Sequence, residues 1–300
     1  MLAHQRLAIV DLSPEGHQPM ASADGRWVIA FNGEIYDHAA IRAELVAFGH
    51  GFRGRSDTEV LLAAISQWGV EGALARGNGM LAFAAWDRRE RVLWLARDRL
   101  GKKPLYYGLS DGRLVFGSEL AALRALPGFR AEVDPDALAL LLRLDYIPAP
   151  HSILRGVRKL PAGHLLRLDA AALAARELPA PRAWWSTLDA QRAAIARGFK
   201  GDETAALDQL DVLLRDATAL PAGLLGDAAR SAAQALPDGA QAIFTRAEPG
   251  FATHCHCRRA HGIQGEFASH DSIGRPPECG HHEKHVALPD LTTFKGLEEA

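Results

Sequence analysis

The chain has 300 residues, room for one large domain or two ordinary ones, and its 48% hydrophobic and 23% charged residues are those of a globular protein. A net charge of −2 leaves no electrostatic footprint for nucleic acid or an acidic membrane, and no apolar run reaches bilayer-spanning length. Residues 1–254 contain no cysteine, which excludes a disulfide framework there, and Met1-Leu2-Ala3-His4-Gln5-Arg6-Leu7 lacks the order of a secretory leader, so a cytoplasmic setting is expected.

In chain order, Arg6–Asp11 is a short β-branched run and Arg26–Tyr36 a second strand that reaches Asn32-Gly33-Glu34. His38–Phe48 has helical spacing (Ile41, Leu45, Phe48) and stops at Gly49, a good C-cap residue. Ser56 with Glu59 three residues on reads as a capping box that opens a second helix, Val60 to Ile65 being its apolar start. Four strand-like runs follow, Met80–Trp86, Val92–Ala96, Pro104–Leu109 and Leu114–Phe116, with Asp111-Gly112 as a hairpin turn. Glu119–Ala125 and Pro135–Leu144 look helical, Ile147-Pro148-Ala149-Pro150 extended, and Gly163–Leu168 a last strand. Short strands framed by helices predict an α+β fold with layers of sheet covered by helices rather than a doubly wound parallel sheet. Residues 169–183, rich in Ala, Pro and Arg, read as linker, and Asp202–Ala217 as an amphipathic helix with Leu207, Leu210 and Leu214 on one side.

Three segments carry the chemistry. Recognition of an amino acid with a side-chain amide needs a cation for its carboxylate, an acid for its ammonium and donors for the oxyanion formed when the amide is attacked. Arg6, opening an apolar strand, offers the guanidinium fork that matches two carboxylate oxygens. Asp57, at the start of a capped helix, offers the acid, and Asn32-Gly33 offers a side-chain amide and a backbone N–H from one tight turn. Each has a plainer reading: a solvated charge, a helix-dipole partner, a hairpin turn. Their joint order is what points to a site.

That order resembles the glutamine-hydrolysing asparagine synthetases, a class II glutamine amidotransferase family. The resemblance continues through Asn78-Gly79-Met80-Leu81-Ala82-Phe83, Arg97-Asp98-Arg99-Leu100-Gly101-Lys102-Lys103-Pro104-Leu105-Tyr106-Tyr107, Phe116-Gly117-Ser118-Glu119, Tyr146-Ile147-Pro148-Ala149-Pro150 and Lys159-Leu160-Pro161-Ala162-Gly163-His164, covering roughly residues 1–217. It implies an N-terminal-nucleophile αββα sandwich, here incomplete, over residues 1–168. Residues 169–201 would be linker and 202–217 the first helix of a synthetase-like domain. It also implies that Arg6 holds the glutamine carboxylate on a strand with Leu7, Ile9 and Val10, that Asn32 and Gly33 form the oxyanion hole, and that Glu34 and Asp57 hold the amino end.

The chain departs from the pattern at both ends. The family's nucleophile is an N-terminal cysteine preceding the motif at Arg6, and the first cysteine here is Cys255. The Ser-Gly-Gly-x-Asp-Ser pyrophosphate loop expected after residue 217 does not appear, so ATP and magnesium, the cofactors of the family's synthetase part, have no site read in this chain. The expectation is a truncated amidotransferase that keeps a glutamine pocket and is inactive alone, or a non-catalytic glutamine-binding or interaction module. Partners expected are glutamine and a possible second copy, with no nucleic acid or membrane. Residues 218–300 read as an unassigned tail, disordered or out of frame. Its His254-Cys255-His256-Cys257, Cys279 and His282-Glu283-Lys284-His285 suggest zinc but match no standard ligand spacing, so no metal site is assigned.

Overall fold

A computed structural model describes residues 2–5, 11, 13–176, 178–234, 241–243 and 256–258. The strand expected over Arg6–Asp11 therefore lies outside the described residues except at Asp11, as does most of the cysteine- and histidine-rich tail. After a short 3-10 turn at Pro14–Gly16 come β1 (Met20–Ala21), β2 (Trp27–Ile35), α1 (His38–Ala47), α2 (Asp57–Arg76), β3 (Gly79–Asp87), β4 (Val92–Arg97), β5 (Tyr106–Ser110) and β6 (Arg113–Gly117). Then follow α3 (Leu120–Arg124), α4 (Pro135–Leu144), β7 (Val157–Lys159), β8 (His164–Leu168), α5 (Ala170–Ala175), β9 (Arg182–Ala183), α6 (Thr187–Arg197) and α7 (Glu203–Gln234). Two short strands, β10 (Gln241–Ile243) and β11 (His256–Arg258), pair with each other antiparallel.

The main sheet is antiparallel in the order β1-β2-β3-β4-β8-β9, and a second, three-stranded sheet runs β6-β5-β7. Side chains alternate across a strand, and burial follows that period. Ile29, Phe31 and Ile35 of β2 and Leu81, Phe83 and Ala85 of β3 pack under α1 and α2 with Leu45, Val60, Leu61 and Ile65. The opposite face, with Ala82, Ala84, Leu93, Leu95, Leu166 and Leu168, packs on Leu105 and Tyr107 at and beside β5. The outer face of the second sheet buries Val115 and Val157 against Leu123 of α3. Helices, sheet, sheet and helix thus stack as αββα, and the fold is the expected α+β sandwich. The hairpin turn at Asp111-Gly112 takes left-handed backbone at both residues (φ 50° and 72°), which matches the twist of β5 and β6.

Several local expectations need correction. Ser56 does cap α2, accepting from Glu59 N at 3.3 Å, but the Glu59 carboxylate accepts from Arg53 N (2.8 Å) and Gly54 N (3.0 Å) instead of returning to Ser56. The preceding loop folds back over the helix end and takes that carboxylate. The helix also breaks at Gly69, whose φ is +73°. Phe48 is 56% exposed and meets Trp68 edge-on, while Ile41 and Leu45 are buried. Asn32-Gly33 is not a turn: both residues lie inside β2, in register with Ala82 and Leu81. Residues 169–201 contain α5, β9 and α6, and β9 extends the main sheet through Leu165↔Arg182. The helix expected at 202–217 runs on to Gln234, and its Leu207, Leu210 and Leu214 are exposed.

Candidate functional site

An open edge of β2 builds the site. β1 pairs with β2 only at Val28 and Ile29, so the edge beyond is free of a neighbouring strand among the described residues. Backbone N–H groups two apart on a strand point to the same edge. Phe31 N donates to Gln18 Oε1 at 2.6 Å and Ile35 N to Asp57 Oδ2 at 3.0 Å. Gly33 N, between them, points to that same edge and into a cleft of about 1120 Å³. Gln18 completes its clamp by donating through Nε2 to Phe31 O at 3.1 Å, a side chain standing where a strand rung would be.

Asn32 and Glu34 share the other periodicity and point between the sheets, and both line the cleft. Asn32 Nδ2 donates to Ser118 Oγ at 3.1 Å. An amide nitrogen carries two hydrogens, so one remains to face a ligand beside the Gly33 N–H. A side chain at position 33 is barred, because its Cβ would stand 2.1 Å from Met80 O and 2.8 Å from Leu81 Cα.

Asp57 is 6% exposed at the first turn of α2 and also lines the cleft. Burial pushes its carboxyl above the ordinary value of 3.8, against the opposing pull of the Ile35 N–H and of His38. A buried, destabilised carboxylate at the mouth of a cleft is poised to gain from a cation. The arrangement therefore offers a donor pair for an oxyanion and, within the same cleft, two acids for an ammonium group.

The loop after β4 carries Lys103, which lines the cleft. Asp98, 2% exposed, accepts from Leu81 N (3.2 Å), Leu100 N (3.1 Å), Lys102 N (2.8 Å) and Lys103 N (3.0 Å). Arg97 donates to Gly101 O, Lys103 O and Leu160 O, each at 2.7 Å, and burial lowers its pKa. Arg99 reaches Gly77 O at 2.8 Å past the end of α2 and lies over the Trp184 ring at 5.1 Å.

Of the residues expected in the site, Asn32, Gly33, Glu34 and Asp57 come together on one cleft. Arg6, Leu7, Ile9 and Val10 lie outside the described residues. Gln18, Ser118 and Lys103 line the cleft and escape sequence reasoning. Ser118 stands in the quoted Phe116-Gly117-Ser118-Glu119 motif and Lys103 in the quoted Arg97–Tyr107 segment, whereas Gln18 has no periodic or motif signal. Among the described residues no group of three or more His, Cys, Asp or Glu is arranged to hold a metal ion.

A glutamine amidotransferase domain model matches residues 1–184, more than half of the chain. The chain belongs to that family. The chain is 39% identical over 169 residues to asparagine synthetase [glutamine-hydrolyzing] 3 of Bacillus subtilis, an alignment that covers 55% of the chain and 27% of that protein. It is 41% identical over 177 residues to a putative asparagine synthetase of Mycobacterium bovis, over 56% of the chain and 27% of the relative. The chain thus spans about a quarter of the length of these relatives. The solved glutamine phosphoribosylpyrophosphate amidotransferase of B. subtilis aligns at 18% identity and a TM-score of 0.42, over 58% of this chain and 33% of that one.

Proposed function

We propose that the cleft binds glutamine, with the Gly33 N–H and Asn32 amide facing the side-chain carbonyl and Asp57 and Glu34 facing the α-ammonium. The observation that carries this reading is the run of three N–H groups along the open edge of β2. Gln18 takes the first, Asp57 the third, and the middle one faces the cleft. Arg6 completes the set as the cation for the α-carboxylate. The expected reaction context is that of glutamine-hydrolysing asparagine synthetases in the cytoplasm, where released ammonia would be used with ATP, magnesium and aspartate by a synthetase part. The described residues that line the cleft include no cysteine. A polypeptide of these 300 residues is therefore expected to bind glutamine without hydrolysing it.

Calorimetric titration with L-glutamine tests the reading. Saturable binding, weakened at least tenfold by Asp57→Ala, is the expected result. A flat titration overturns it, and glutamate release above background shows that another nucleophile serves.

A further inference from the structure

Strand register and hydrogen bonds together connect Asn32-Gly33 to the segment that carries Lys103 along two lines. On the first, Gly33 pairs with Leu81, Leu81 N donates to Asp98 Oδ2 at 3.2 Å, and the same oxygen accepts from Lys103 N at 3.0 Å. On the second, Asn32 donates to Ser118, which follows Gly117 at the end of β6; Gly117 pairs with Tyr106, so the chain ahead of β5, where Lys103 stands, is at that same end. Lys103 lines the cleft. It enters none of the ion pairs formed among the described residues.

Taken over its whole lining, the cleft carries more acids than cations. Asp11, Glu34, Asp57, Asp111 and Glu119 line it, against Lys103 and Arg113 as described cations. Those acids suit an ammonium and repel a carboxylate. We propose that Lys103 is the anion-binding residue at the Asn32–Gly33 end of the cleft and takes the γ-carboxylate of glutamate, with Asp98 as the positioning residue that fixes its backbone. The proposal rests on the glutamine-pocket reading, since the γ-carboxylate of glutamate occupies the place of the glutamine amide. Glutamine is neutral at that end, so a cation there changes discrimination between the two amino acids more than it changes recognition of their shared amino-acid head.

The test is calorimetric titration of the full chain with L-glutamate and with L-glutamine, for the wild type and for Lys103→Met, Lys103→Arg and Asp98→Asn. Loss of one charge-assisted contact predicts that Lys103→Met lowers the glutamate-to-glutamine affinity ratio about tenfold and that Lys103→Arg restores most of it. Asp98→Asn should lower the ratio in the same direction and add nothing in the Lys103→Met background, which loss of fold stability alone would not produce. An unchanged ratio in Lys103→Met overturns the assignment while glutamine binding by the wild type leaves the pocket reading standing. Absence of binding of either amino acid by the wild type overturns the pocket reading and this proposal with it. If Asp98→Asn fails to fold, the Lys103→Met and Lys103→Arg pair decides alone.

Discussion

Asp57 shows how one side chain serves stability and binding in opposite directions. Its carboxyl is raised above 3.8 by burial, so the folded protein binds its proton more tightly than the unfolded chain. Between 3.8 and the raised value the native state holds more protons, and stability from this group falls as pH rises through that window. Asn in its place keeps an oxygen for the Ile35 N–H and removes the buried charge. Asp57→Asn is therefore expected to raise the thermal midpoint at pH 7–8 by about 2–4 °C, the shift that ~1 kcal/mol produces in a domain of this size, with the gain fading on acidification. Differential scanning calorimetry across pH reads this directly, and a lowered midpoint at pH 8 contradicts it. Binding runs the other way. An ammonium prefers the ionised carboxylate, so wild-type glutamine affinity should weaken as pH falls through a value higher than that of an ordinary Asp. Gly33→Ala, with its Cβ driven onto Met80 O, should destabilise by about 2 kcal/mol or more through forced separation of β2 from β3, seen as a lower denaturant midpoint.

At the scale of elements, the sequence exposes what periodicity and caps encode and hides what single side chains join. β2, β3, β4 and the β5–β6 hairpin were legible because apolar runs bounded by charged or Asp-Gly turns mark strands buried between layers. β1, β7 and β9 were not, since two or three residues carry no period. Asp57 was found through the Ser56 cap, and Asn32-Gly33 through its wording, but its setting inside a strand depends on pairing with Leu81 and Ala82, which local sequence does not display. The Arg97–Tyr107 segment resembles a family signature, yet its physical role appears only in three dimensions. Arg97 holds three carbonyls and Asp98 four N–H groups, which locks the turn from β4 into β5. A lysine cannot reproduce the planar fork. Arg97→Lys is accordingly expected to cost about 3 kcal/mol, near the cost of Arg97→Ala, because buried carbonyls lose their donor in both. Urea unfolding curves of the two variants should nearly superimpose, and a lysine variant close to wild type would contradict the fork argument. Ser56→Ala, which removes only a cap, should cost about 1 kcal/mol.

Among the residues whose burial is described, burial is confined to the sandwich. The three buried clusters draw on residues between Leu2 and Trp184. α6 buries no side chain, and Leu207, Leu210, Val212, Leu213 and Leu214 of α7 are each at least half exposed. The described side chains of α6 and of the first half of α7 therefore add little to the cooperative unfolding of the core, since most helical stability in proteins comes from packing an apolar face. A chain ending at Arg197 is expected to melt within about 2 °C of the 300-residue protein, because the described side chains it removes, residues 198–219, contribute less than ~1 kcal/mol of core packing. Its circular dichroism should lose the helical signal of α7, and its glutamine affinity should stay the same, since the described residues that line the cleft all precede Phe129. A fall in midpoint of 5 °C or more, well beyond the shift of ~1 kcal/mol, would mean that residues after Arg197 contribute packing to the sandwich. With midpoint and affinity both retained, fold and cleft reside in the same segment that the amidotransferase family covers, residues 1–184. The exposed leucines of α7 would then be free to serve contacts outside that segment.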